Sequence, residues 1–215
     1  MKKSNLNYLR FKIMNESKKD ISFNGWNEDL INLIAKKNNY KKAELKILFP
    51  NGYRSILEFY LDNLNKELTK SCKKIDLLRL KTHERIREII LTKILTNQKD
   101  KNLIKKTYMT LLMPSNYKLS INSLYKSVDQ IWYIAGDNST DFNFYTKRGL
   151  LAGIYISTIL FWINGDKNID EVESFLNNQL SKVSKIPKFK RKLKSLSILT
   201  PDILNFLRRF SILKQ

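Results

Sequence analysis

Side chains that commonly perform catalysis are scarce in this sequence. Cys72 is the only cysteine and His83 the only histidine among 215 residues. The sequence therefore offers almost no candidate residues for a catalytic triad, a Cys–His pair or a site where cysteine or histidine binds a metal. Glu84 follows His83 directly, but adjacent helical residues point apart, which favours a solvated face over an acid–base pair. The sequence predicts a protein that is not an enzyme and uses no cofactor or metal.

One candidate binding face combines two opposite charges with an aromatic pair. Asp141, Phe144, Tyr145 and Arg148 are spaced so that they share one side of a predicted helix. This pattern is typical of an internal ion pair beside core aromatics. It is also typical of a protein-binding patch, because aromatic residues and Arg are enriched at the centres of interfaces. Spacing alone favours the core.

A second candidate set is apolar and comes from three predicted helices. Lipid pockets have apolar walls and few polar groups, and methionine adapts its shape to a flexible tail. The candidate wall residues are Met109, Leu112, Met113, Val128, Ile131, Leu151, Ile154, Tyr155, Thr158 and Ile159. The residues alone favour an ordinary packed core of the same side chains over a lipid-filled cavity, although the sequence does not distinguish the two directly.

The elements that position these residues are predicted to be helices. The chain has only six Gly and four Pro, and apolar residues make up 42% of it, which favours long helices around a real core. Periodicity predicts a first helix with Leu6, Leu9 and Ile13 on one face, and Asn51 is predicted to cap a long fourth helix. The other predicted helices run from a cap at Asn27, over 41–48, 82–96, 99–112, 120–135, 141–162 and 169–183, and from Thr200 nearly to Gln215.

The N-terminal pattern resembles the TetR-like helix-turn-helix arrangement, with three short helices, a Phe49-Pro50 step and then a long helix. A DNA-binding protein of this kind would place Lys41, Lys42 and Lys46 on its recognition helix, with Lys36 and Lys37 beside it. No Arg lies between Lys36 and Leu48, so the commonest specific contact to guanine is unavailable there. A solvated basic face is therefore favoured, and nucleic acid is not the expected partner. A TetR-like regulator with a hydrophobic effector pocket is the alternative function.

The C-terminal segment combines a basic cluster with an amphipathic helix. Seven Lys or Arg residues fall between Lys182 and Lys194. The helix after Thr200 places its apolar residues on one side, namely Ile203, Phe206, Leu207, Phe210 and Leu213. This combination is typical of a membrane-surface helix, although a helix that docks on the protein body has the same pattern. The net charge of +20 fits attraction to an anionic partner, and it equally fits a Lys-, Asn- and Ile-rich genome composition.

The stretch from Ser127 to Gly153 closely resembles the signature of the Coq-nine family of ubiquinone-biosynthesis proteins. The family pattern has an Asp before a hydrophobic-Trp pair, then Ala-Gly-Asp, Ser-Thr-Asp and an aromatic-Tyr doublet before two basic residues. The matching residues are Asp129, Ile131-Trp132, Ala135-Gly136-Asp137, Ser139-Thr140-Asp141, Phe144-Tyr145 and Lys147-Arg148. The strong match covers roughly residues 110–160, and the motif is long and specific.

The resemblance implies a TetR-like, all-helical homodimer without catalytic activity. It implies an isoprenoid lipid or quinone precursor in a C-terminal pocket and a partner, the di-iron hydroxylase that acts on demethoxyubiquinone. The family residues that contact this hydroxylase correspond to Asp141, Phe144, Tyr145 and Arg148, with Ile131 nearby. The family usually has Trp where this chain has Phe144, and Phe lacks the indole N–H and some contact area. The resemblance also implies that the terminal helix contacts a membrane.

These observations predict three regions and a peripheral location. Residues 1–50 form a helix-turn-helix-like unit, 51–184 a helical lipid-binding domain, and 185–215 a basic linker with the amphipathic helix. The longest apolar run, Gly149 to Ile163, is too short to span a bilayer comfortably. The start lacks a secretory signal and a long Arg/Ser-rich presequence, which favours a bacterial cytoplasm, peripheral on the inner membrane. In a eukaryote the expected location is the matrix side of the mitochondrial inner membrane.

Overall fold

The computed structural model describes residues 3–137 and 142–184, and every regular element within these ranges is helical. The predicted all-α class is therefore confirmed. The α-helices of the described ranges are α1 (Lys3–Asn24), α2 (Leu30–Asn38), α3 (Lys42–Leu48), α4 (Tyr53–Cys72), α5 (Thr82–Thr96), α6 (Lys101–Leu111), α7 (Tyr117–Ile134), α8 (Phe142–Ile163) and α9 (Ile169–Ser184). Single 3₁₀ turns, Gln98–Asp100 and Pro114–Asn116, precede α6 and α7.

The chain divides into two compact units, Met1–Asn177 and Asn178–Gln215. The first unit contains α1 to α8 and most of α9. Of the second unit, the structure describes the helical residues up to Ser184. The predicted terminal helix after Thr200 and the predicted binding residue Asp141 lie outside the described residues.

Helix α4 forms because apolar residues recur every three or four positions along it, and it buries this stripe in the core. Its N-cap is Gly52 and not the predicted Asn51. The φ angle of Gly52 is 60°, a left-handed conformation that glycine adopts without steric cost, so the sharp entry into α4 requires glycine at this position. The Asn51 backbone N–H donates to the Ser55 hydroxyl instead of the Asn51 side chain acting as a cap.

The N-terminal helices and the helical body share one core. Helix α1 packs against α2, α4 and α6. Trp26, in the loop after α1, is buried; its indole Nε1 donates to the Thr107 hydroxyl of α6 at 3.0 Å, and its ring centre lies 5.8 Å from that of Tyr60 on α4. The helix-turn-helix-like unit is therefore fixed to the body by a buried hydrogen bond as well as by apolar packing.

The body places side chains from five helices around a common interior. Helix α4 packs on α5 and α7, while α8 packs on α6 and α7. Along α8, Leu151, Tyr155 and Trp162 are buried, so this helix presents one long face to the others. No helix of the described ranges is long and apolar enough to cross a bilayer.

Candidate functional site

Arg148 forms a buried ion pair where α7 and α8 approach each other. Its Nε donates to the Asp129 carboxylate at 2.8 Å, and its Nη1 lies 3.5 Å from the Asp137 carboxylate. The Arg148 side chain is only 9% exposed, and that of Asp137 is 6% exposed. Lys147 also pairs with Asp137, at 2.8 Å. The structure thus places Arg148 in an ion-pair network with Asp129, whose side chain is 46% exposed, and with the buried Asp137. Asp141, the acidic residue predicted to share its helix face, lies outside the described residues.

The aromatic pair beside Arg148 divides between interior and surface. The Arg148 guanidinium carbon lies 3.3 Å from the centre of the Phe144 ring, a short cation–π contact. Phe144 and Tyr145 pack edge to face with ring centres 5.2 Å apart. Phe144 is half-buried, Tyr145 is 41% exposed, and Ile131 is fully buried in α7. Within the described part of the predicted patch, Tyr145 is therefore the most exposed residue.

The predicted lipid-wall residues separate into two groups. Met109, Leu112 and Met113 are exposed at the end of α6, because the buried face of this helix consists of Leu103, Ile104, Thr107, Tyr108 and Leu111. The three residues fall outside that stripe. The structure brings the other wall residues together in the core of the body, namely Val128 and Ile131 of α7 and Leu151, Ile154, Tyr155, Thr158 and Ile159 of α8.

A buried lysine, which sequence reasoning missed, lies among these core residues. Lys93 of α5 is 5% exposed, and its Nζ donates to the Asn65 side-chain oxygen of α4 at 2.9 Å. Burial lowers the pKa of Lys93 to about 7. The signal was present in the sequence, because Lys93 follows Ile86, Ile89 and Ile90 at helical spacing on the apolar face of α5.

Hydroxyl groups from three more helices are linked to this lysine through Asn65 and Tyr155. The Ser127 hydroxyl of α7 donates to the same Asn65 oxygen at 3.2 Å. The Lys93 Nζ lies 5.1 Å from the centre of the Tyr155 ring of α8, and the Tyr155 and Tyr108 hydroxyls share a hydrogen bond of 2.6 Å. Burial raises the pKa of Tyr108 to about 12, and it raises the pKa of Tyr155 well above its ordinary value. We call Asn65, Lys93, Tyr108, Ser127 and Tyr155 the Lys93 cluster.

The basic residues predicted for DNA contact are at the surface. Lys41, Lys42 and Lys46 are exposed in and before α3, with Glu44 in the first turn of that helix. Lys36 is exposed, while Lys37 pairs with Asp20 of α1 at 2.8 Å. Two surface grooves lie near this unit, one lined by α2 and α3 residues and one by residues of α4 and α7. The lining of each groove excludes the predicted lipid-wall residues.

Comparison with known proteins identifies relatives that match most of the chain. Residues 117–187 match the COQ9 family model. The chain is 28% identical over 181 residues to the ubiquinone biosynthesis protein COQ9, mitochondrial, of Bos taurus, which covers 80% of this chain and 56% of that protein. It is 25% identical over 198 residues to the probable ubiquinone biosynthesis protein coq9 of Dictyostelium discoideum, covering 85% and 62%.

A Xenopus laevis relative, COQ9-A, is 30% identical over 165 residues, which cover 73% of this chain and 52% of that protein. The chain therefore spans between about half and three fifths of the length of these relatives.

Among solved structures, a TetR transcriptional regulator from Nitrosomonas europaea superposes with a TM-score of 0.65 at 16% identity. The superposition covers 82% of this chain and 98% of the regulator. At this identity the similarity concerns the fold alone, and it confirms the predicted TetR-like architecture.

Proposed function

We propose that this chain, which belongs to the COQ9 family, is a non-catalytic lipid-binding protein of ubiquinone biosynthesis. It takes up an isoprenoid quinone precursor at a membrane and presents it to the di-iron hydroxylase that acts on demethoxyubiquinone. The observation that carries this proposal is the family match over residues 117–187, which spans α7, α8 and α9. The names of the relatives, which are ubiquinone biosynthesis proteins, support the assigned pathway.

The lipid site of this proposal is the interior between α7 and α8. Val128, Ile131, Leu151, Ile154 and Tyr155 are each at most 7% exposed there. An apolar interior of this kind removes an isoprenoid tail from water, and each buried methylene contributes about 0.8 kcal/mol. The side chains of these helices must move apart to admit the tail, and the tail then replaces contacts that the core side chains make with one another.

The partner surface of this proposal is centred on Tyr145. Its ring is partly exposed and is supported from behind by Phe144, which in turn stacks on the buried Arg148. A tyrosine held in this way offers contact area with little further loss of side-chain freedom, which is typical of residues that dominate binding energy. Asp141 belongs to the same proposed surface by its position in the sequence.

A second copy of the chain is the other proposed partner, and the outer face of α8 suits it. Gly149 and Gly153 are exposed, and a side chain built at either position would meet no atom within 4 Å. Glycine inside a helix costs about 1 kcal/mol relative to alanine, and packing within this protomer does not require it at either position. Exposed glycines allow another helix to approach the backbone closely, so this face is the proposed homodimer contact.

The proposed location is the surface of a membrane, with the segment around Phe206 and Phe210 as its apolar anchor and the net charge of +20 attracting anionic lipids. The relatives from Bos taurus and Dictyostelium discoideum are named as mitochondrial proteins. Their names support a mitochondrial location over a bacterial cytoplasm, and the side proposed within mitochondria is the matrix face of the inner membrane.

A transfer assay tests the proposed function. The purified full-length chain is mixed with anionic vesicles that contain a ubiquinone precursor, the protein is separated from the vesicles, and the extracted quinone is quantified. We expect the protein to carry quinone in proportion to its concentration, and to raise the rate at which added hydroxylase converts it. Protein that leaves the vesicles without quinone, and hydroxylase turnover that it does not change, would contradict the proposal.

A further inference from the structure

Lys93 occupies an unusual position for a lysine. It lies in the interior of the body with no carboxylate bonded to it among the described residues, and its polar partner there is the neutral Asn65 amide. Burying an ammonium group without a counter-charge destabilises a fold, and buried lysines are rare unless they are paired. A methionine or leucine at this position on α5 would pack in the core without that cost. The presence of Lys93 therefore indicates a use for its N–H groups other than stabilising the folded chain.

Lys93 has more N–H donors than hydrogen-bond partners among the described residues. An ammonium group has three N–H donors, and the Asn65 oxygen accepts from only one of them while also accepting from Ser127. Tyr108 and Tyr155 share one hydrogen bond, and Ser127 also bonds Tyr155. Lys93 thus presents unused N–H donors to the interior.

Tyr60 of α4 adds a donor that has no partner. Its side chain is 2% exposed, and its hydroxyl makes no hydrogen bond to the described protein. Burial raises the pKa of Tyr60 well above its ordinary value, with smaller contributions from Asp100, Glu67 and Tyr108. The Tyr60 ring lies 5.8 Å from that of Trp26, whose indole donates to Thr107 of α6, so Tyr60 lies beside the stretch of α6 that also carries Tyr108. A buried donor without an acceptor costs about 1–3 kcal/mol in general. The unpartnered Tyr60 hydroxyl is therefore a second observation, separate from Lys93, that indicates a missing acceptor.

We propose that the Lys93 cluster and Tyr60 form the polar anchor for the ring of the bound lipid, and that they select a quinone head whose oxygens only accept hydrogen bonds. This inference rests on the proposed function, since it names the part of the ligand that the interior recognises. Tyr155 belongs both to the apolar wall and to the cluster, so a tail along α7 and α8 would bring its head to Lys93. Quinone carbonyl and methoxy oxygens would accept from Lys93 and Tyr60.

The surroundings favour a neutral head over an anionic one. Val128, Ile131, Ile154 and Ile159 line the same interior, and a phosphate or carboxylate placed among them would lose its hydration. The lowered pKa of Lys93 leaves the amine partly uncharged near neutral pH, which weakens its attraction for an anion. An uncharged ring with several acceptor oxygens satisfies the donors at the smallest desolvation cost.

Binding of two probes to the full-length chain tests this inference. One probe is a dimethoxybenzoquinone with two isoprenoid units, and the other is geraniol, the alcohol of the same tail without the quinone. Affinities are measured by calorimetry for the natural sequence and for the Lys93→Met and Tyr60→Phe variants. Tyr60→Phe removes only the unpartnered hydroxyl, so this variant should fold at least as stably as the parent. Tyr53→Phe is the matched control, because Tyr53 is also buried on α4 but bonds Asn116 at 3.3 Å, outside the cluster.

We expect Lys93→Met and Tyr60→Phe each to weaken quinone binding at least tenfold, with geraniol binding unchanged and with Tyr53→Phe at the parental quinone affinity. Parental quinone affinity in both variants would overturn the inference and leave the proposed function standing. Equal losses for quinone and geraniol would also overturn it, because the variants would then have changed the apolar wall. A natural chain that binds neither probe would overturn the inference and the proposed function together.

Discussion

The guanidinium of Arg148 lies 3.3 Å from the centre of the Phe144 ring while its Nε donates to Asp129, so the buried arginine positions the aromatic pair at the start of α8. Phe144 packs edge to face on Tyr145, and Tyr145 is the exposed member of the pair. Residues that share one helix face therefore lie in different surroundings. Arg148 is buried against Phe144 and Asp129, while Tyr145 is 41% exposed.

Changing Tyr145 to Ala should weaken binding of the hydroxylase by about 2 kcal/mol, because a supported aromatic side chain at the centre of a protein interface commonly contributes that much. The free energy of unfolding should change by less than about 1 kcal/mol, since partly exposed positions contribute little to folding. Surface plasmon resonance and urea unfolding measure the two quantities. Tyr8→Ala is the control, because Tyr8 is exposed on α1, and it should change neither. Undiminished affinity in the Tyr145 variant would remove Tyr145 from the proposed surface.

Changing Arg148 to Met should destabilise the fold by about 3 kcal/mol, because it removes one cation from the buried Asp137 carboxylate and the stacking partner of Phe144. Lys147 still pairs with Asp137, which limits the loss. Urea unfolding measures the effect, and Lys147→Met is the control, because Lys147 is 40% exposed and should contribute much less. Equal losses in the two variants would show that Arg148 has no special structural role.

Much of the fold follows from local sequence rules. The predicted helix over 82–96 coincides with α5, because the apolar periodicity and the loop residues on either side indicate the same helix boundaries. Residue type alone predicted the wrong N-cap for α4, Asn51, because the positive φ that selects Gly52 depends on how α3 and α4 meet. Residue type also did not predict that Met109 and Leu112 are exposed, because only the packed structure shows which stripe of α6 faces the core. The burial of Lys93 was not predicted because a lysine is normally a surface residue, and here tertiary packing overrides that preference.

The stability of the protein should rise with pH between about 7 and 9 because of Lys93. Its pKa of about 7 in the folded chain is below the ordinary 10.5, so over this range the unfolded chain binds a proton that the folded chain lacks. The raised pKa values of Tyr108 and Tyr155 act in the opposite direction only near and above pH 10. Burial raises the pKa of the Cys72 thiol to about 11, so Cys72 opposes part of this gain as the pH approaches 9. Urea unfolding at pH 7 and pH 9 should therefore show a net gain of roughly 1–2 kcal/mol in the natural sequence. Lys93→Met should lack most of this gain and be more stable at pH 7; a gain equal to the parent's would contradict the assignment to Lys93.

Changing Gly153 to Leu should weaken the homodimer at least tenfold while leaving the protomer folded. The new side chain meets no atom of its own protomer within 4 Å, and leucine favours a helix more than glycine does. Analytical ultracentrifugation measures the dimer dissociation constant, and circular dichroism checks the helix content. Asn15→Leu, an exposed position on α1, is the control and should leave the dimer intact. A Gly153→Leu variant that dimerises normally would place the contact elsewhere.

Changing Phe206 to Glu should reduce binding to vesicles of phosphatidylserine and phosphatidylcholine more than tenfold, because a charge on the apolar side of the segment opposes burial in the lipid interface. Asn205→Glu introduces the same charge one residue earlier and outside the apolar stripe, so its effect should be much smaller. Co-sedimentation with vesicles measures both. Equal losses would mean that attraction between charges, rather than an apolar anchor, accounts for the binding.

Native mass spectrometry of gently purified protein, followed by lipid extraction and identification, tests the central claim most directly. We predict a dimer that carries about one isoprenoid quinone or quinone precursor per protomer. When the lipid is released, the mass of the complex should fall by the mass of the lipid. Lipid-free protein after mild purification, which also stays lipid-free when incubated with quinone-containing vesicles, would contradict the claim and show that the residues of α7 and α8 form an ordinary packed core.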